Sequence, residues 1–97
     1  MSIEKAKKLA EYEVGWWKAH HRKDFKAAME NMTNEYVLQF GVPYEIAAEA
    51  VELRIEAGKM HDKAEELEDS RKTKEAEKYW NKATELLQKH FEVLLGV

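Results

Sequence analysis

"YVLQFGVPYEI", residues 36–46, decides how this chain is divided. Gly41 stands at the end of an apolar, helix-forming run, and glycine readily closes a helix in the left-handed conformation. Two positions on, Pro43 lacks an amide hydrogen and has its φ preset for a first helical turn. Ala, Glu, Lys and Leu dominate on both sides, and no stretch alternates with period two for long enough to make a strand. The reading is an all-α fold, a four-helix bundle of two antiparallel hairpins. The hairpins span residues 3–40 and 43–95 of one helical domain covering 1–97.

Working outward, Ser2 is an N-cap for a first helix reaching about Arg22, with Ile3, Ala6, Ala10, Val14 and Trp17 as its apolar stripe. Leu9, Tyr12 and Trp16 widen that face. Asp24 caps a second helix whose stripe is Phe25, Ala28, Met29, Met32, Tyr36 and Phe40. The third runs from Pro43 to about Asp69, straight through Gly58, because no capping residue follows that glycine directly. A fourth begins near Thr73, carries Ala76, Trp80, Ala83, Leu87, His90 and Leu94, and ends at Gly96.

In an antiparallel hairpin, facing residues have numbers with a constant sum. Helices three and four then oppose large to small: Trp80 to Ala64, Leu87 to Ala57 and Met60 to Ala83, as close packing requires. Leu53 faces His90, which reads as a core histidine. The first hairpin pairs Phe40 with Ala6, Tyr36 with Ala10, Met32 with Val14 and Met29 with Trp17. At about 1.5 Å per residue the second hairpin is roughly 10 Å longer than the first. Its tip, around Leu67 and Ala76, is expected to be bare unless a partner covers it. A homodimer through Leu53, Met60 and Leu67 meets that need.

"EAEKYWNKATELL", residues 75–87, resembles the second helix of a tetratricopeptide repeat, with Ala76, Trp80 and Ala83 in its small, large, small positions. "KDFKAAMENM", residues 23–32, resembles the same element through Phe25, Ala28 and Met32. The two units lie 48 positions apart, Ala28 to Ala76, where tandem repeats of that family are spaced by 34. The resemblance implies protein–protein interaction without catalysis.

Composition narrows the functions. Hydrophobic residues at 44% argue for a folded chain, and a net charge of −3 argues against a nucleic-acid coat. The absence of cysteine excludes disulfides and thiolate chemistry. No apolar run has the length of a membrane span and no signal-peptide core is evident, so a cytoplasmic location is expected. Few Asn and Gln alongside dense Glu and Lys is a usage seen in thermophiles.

No metal or other cofactor is expected. Diiron bundles use Glu-x-x-His, and the residues three before His20, His21, His61 and His90 are Trp17, Lys18, Gly58 and Leu87. The row Glu49, Glu52 and Glu56 reads as a solvated face. "RIEAGKMH", residues 54–61, is similar to the arginine–spacer–histidine motif of HEPN ribonuclease toxins, although Ile55 replaces the polar residue usual after the arginine. Two helical turns separate Arg54 and His61, so they share a face as a cation and a general acid/base would need to. Lys18, Arg22, Lys23 and Lys26 cluster at the first turn with His20 and His21, and together with Trp16, either a second core face or an exposed anchor, they are a candidate interaction surface. Its cations suit salt-sensitive contact with nucleic acid, but they also suit a helix C-terminus, where they oppose the macrodipole. The expected function is a soluble helical interaction domain acting as adaptor, regulator or structural subunit. Protein partners, a second copy first, are favoured over nucleic acid, and membranes are not expected. A ribonuclease using Arg54 and His61 and a nucleic-acid binder using residues 18–26 are the alternatives.

Overall fold

The structure is a computed structural model that describes residues 2–97. It is all-α: α1 (Ile3–His21), α2 (Phe25–Phe40), α3 (Tyr44–Asp69) and α4 (Thr73–Leu95), with no strand among the described residues. Ser2 and Asp24 cap as their chemistry dictates, the Ser2 hydroxyl accepting from the Lys5 amide and the Asp24 carboxylate from the Ala27 amide. Gly41 and Gly96 close α2 and α4 at φ 66° and 75°. Pro43 lies one position outside α3, its carbonyl accepting from the Ala47 amide. Gly58 leaves α3 unbroken over 26 residues. No described helix is long and apolar enough to cross a membrane.

The chain forms two compact units, residues 1–51 and 52–97, so the division falls inside α3 rather than at Gly41. In the first unit α1 packs on α2, and the start of α3 contributes Ala47, Ala50 and Val51, all fully buried. In the second, α4 lies against the rest of α3: the Trp80 indole Nε1 donates to Glu68 Oε1 at 2.6 Å and its ring meets His61 edge-on at 5.2 Å. Ala57, Ala64 and Ala83, the small residues expected opposite large ones, are buried there, and so is Ala76. Leu67 is also buried, at 9% exposure, so the tip of this hairpin closes on its own side chains and is not bare as the length argument implied.

The two hairpin turns are the same structure. Arg22, Lys23 and Asp24 amides donate to the carbonyls of Lys18, His20 and Ala19. Shifted by 48 positions, Ser70, Arg71 and Lys72 donate to Glu66, Glu68 and Leu67. Lys23 and Arg71 take the same left-handed conformation, φ 60° and 61°, without being glycine.

The faces of α1 differ from expectation. Ile3, Val14 and Trp17 are 89%, 41% and 56% exposed, and Ala6 and Ala10 are exposed with them. Leu9, Tyr12, Trp16 and Ala19 supply the inner face. Gly15 sits so close to Asn31 that a Cβ there would lie 2.5 Å from Asn31 Oδ1, but the series expected to pair with α2, Ala6, Ala10, Val14 and Trp17, is turned outward. The rotation of the helix about its axis was wrong. Phe25 and Phe40, the first and last residues of α2, are likewise outside its buried face at 63% and 45% exposure.

Candidate functional site

Arg54 and His61, spaced by two turns of α3, border one cleft of about 380 Å³ in the second unit. Its surface is mainly apolar, from Ala57, Ala83 and Leu87, and it opens above Gly58, where an added Cβ would meet nothing within 4 Å. Trp80 forms part of the lining and is held by its bond to Glu68. Position and chemistry therefore bring a guanidinium, an imidazole and an indole to one concave surface.

The imidazole is flanked by acid. His61 Nδ1 lies 3.4 Å from Asp62 Oδ1 and 3.3 Å from Glu65 Oε1, and all three residues are exposed. Among the described residues these three form the group whose ligand atoms, within 4.8 Å of one another, could hold a metal. A search for inward Glu-x-x-His misses them, because they occupy positions i, i+1 and i+4 on an outer face. Asp62, Glu65 and Glu68 near the cleft also oppose the approach of a polyanion.

His90 is buried, as the apolar stripe implied, with Phe91 edge-on at 4.5 Å. Burial lowers its pKa below the ordinary histidine value, and the Arg54 cation lowers it further.

The first-turn cluster separates into two kinds of residue. Lys18, His20, Arg22, Lys23 and Lys26 are exposed. Trp16 is half-buried, stacked on His20 with ring centroids 5.1 Å apart and planes 9° from parallel. Its indole Nε1 is buried without a hydrogen-bond partner among the described residues. The matching second turn has no basic residue in the last turn of α3, where Glu66 and Glu68 stand for Lys18 and His20, so the shared turn does not itself require the cluster. Of the candidate dimer residues, Met60 and Leu53 are half-buried and Leu67 is inside the hairpin. Sequence reasoning missed the outer ridge of α1, from Ile3 to Trp17, by assigning it to the core. No protein-family model, curated protein or solved structure matches the chain.

Proposed function

We propose that this chain is a small cytoplasmic interaction domain, an adaptor, regulator or structural subunit that works by binding protein, a second copy of itself included. The observation that carries this is the ridge of α1. Ile3, Ala6, Ala10, Val14 and Trp17 form one continuous exposed apolar face, while Leu9, Tyr12 and Trp16 fill the opposite one. Large apolar side chains aligned on one surface are a signature of contact with another protein. Trp17 has the side chain most often found at the energetic centre of such contacts. The dimer surface first read at Leu53, Met60 and Leu67 is less suited, since Leu67 is already covered.

The experiment compares the wild type with Trp17→Glu, a change at an exposed position that leaves the fold intact. Self-association on sizing, or retention of a defined partner, that Trp17→Glu abolishes supports the reading. A wild-type chain that remains monomeric and retains nothing contradicts it.

A second reading rests on the shared lining of Arg54 and His61, an RNA-cleaving enzyme in which Arg54 neutralises a phosphate and His61 transfers protons against the repulsion of Asp62, Glu65 and Glu68. Its test is cleavage of single-stranded RNA that Arg54→Ala and His61→Ala each abolish. Activity unchanged in both variants removes it.

A further inference from the structure

On a helical wheel Ala10 lies at the centre of the α1 ridge, and Ile3, Ala6, Val14 and Trp17 fall within about 40° of it. All five point away from the face that buries Leu9, Trp16 and Ala19. Reversing the helix about Ala10 maps the ridge onto itself: Ile3 falls on Trp17, Ala6 on Val14, and Ala10 on Ala10. The bulky ends thus meet across a small centre, which allows two backbones to approach closely. A parallel pairing would instead stack Trp17 on Trp17 and leave a gap between the alanines.

The charges beside the ridge obey the same symmetry. Glu4, Lys7, Glu11 and Lys18 are exposed along one flank. Under the same two-fold, Glu4 lies beside Lys18 of the second copy and Lys7 beside Glu11 of the second copy. The flank thus forms four contacts of opposite sign against one of like sign, Glu11 on Glu11 next to the two-fold, while Glu13 on the other flank stands without a counterpart. An isologous interface needs a self-complementary patch; the shape of the ridge supplies one, and the charges favour it on balance, four pairs to one.

We propose that the occupant of this ridge is a second copy of the chain, with α1 packed antiparallel on α1 and the two-fold axis at Ala10. This rests on the interaction reading above and gives it a partner and a register. One face of a single helix is a smaller contact than the roughly 800 Å² per partner of a standard interface, so a weak, reversible dimer, of about micromolar dissociation constant, is expected.

The chain has no cysteine, which makes disulfide trapping clean. Ala6→Cys and Val14→Cys are made separately in the full chain and mixed under mild oxidation. The proposal predicts that the crosslink between positions 6 and 14 forms well ahead of either homodimer. Lys7→Glu should weaken the dimer several-fold, and adding Glu11→Lys should restore it, with helicity by circular dichroism unchanged. Dominant homodimers, statistical yields, or no rescue by the double variant overturn the proposal. A chain monomeric at every concentration also overturns it, yet the interaction reading then survives if Trp17→Glu abolishes capture of a different protein. If no capture occurs either, both fall.

Discussion

The two hairpins turn with the same hydrogen bonds and the same left-handed residue, yet they place different chemistry on that shared backbone. At equivalent positions 48 apart, His20 and His21 become Glu68 and Asp69, and the capping Asp24 becomes Lys72. Bulk is exchanged as well. In the first hairpin the large inner residue is Trp16 on α1, with Met32 on α2; in the second it is Trp80 on α4, with Ala64 on α3. The same backbone turn thus accommodates a tryptophan with a methionine in one hairpin and a tryptophan with an alanine in the other. The consequences for the surface are unequal. The first hairpin presents an apolar ridge outward, and the second presents a cleft with Arg54, His61 and carboxylates.

The sharpest way to break the comparison is to overfill one hairpin. Gly15→Leu drives a side chain into Asn31 and should cost about 1–2 kcal/mol net, after the gain in helix propensity. Chemical denaturation reads this; an unchanged midpoint would mean that α1 and α2 are not so close. The caps come next. Lys72 gives α4 no side-chain cap and places a cation at its positive end, whereas Asp24 caps α2. Lys72→Asp should therefore stabilise by about 1 kcal/mol and Asp24→Ala should destabilise by a similar amount. Equal and null effects would show that the turns, not the caps, fix both helices. Gly58→Ala should stabilise by about 0.5–1 kcal/mol, the opposite sign to Gly15, because nothing stands near the added carbon.

The last prediction is read from pH. His90 has a lowered pKa in the fold, so the unfolded chain binds a proton more readily. Its stabilising contribution is complete above the unfolded value near 6.5 and is lost as pH falls from there through the folded pKa. Urea midpoints should decline over that window in the wild type and decline less in His90→Leu. A parallel decline in the two proteins would remove His90 as the cause.

Much of this fold is legible in the sequence, because its punctuation is local. Ser2, Asp24, Gly41 and Gly96 each act within a turn of their own position, and the structure uses all four as caps. The face of α1 is different, since the helix carries two apolar stripes and local pattern cannot rank them. Ile3 to Trp17 makes the more regular series, and it is the exposed one. The discriminating signal was the 48-residue spacing itself. It places Leu9, Tyr12, Trp16 and Ala19 over Ala57, Met60, Ala64 and Leu67, the inner face of α3. Of the candidate sites, Arg54 and His61 came together because their spacing on one helix is local information. Leu67 was misjudged because covering the tip depends on how the two helices close around the turn.

The central claim is that the outward face of α1 is a binding surface for a second copy. Sedimentation equilibrium over a hundredfold range of concentration, on the wild type and on Val14→Glu, tests it most directly. The account predicts a reversible monomer–dimer equilibrium in the micromolar range for the wild type and monomer throughout for the variant. A dimer of equal strength in both would contradict it.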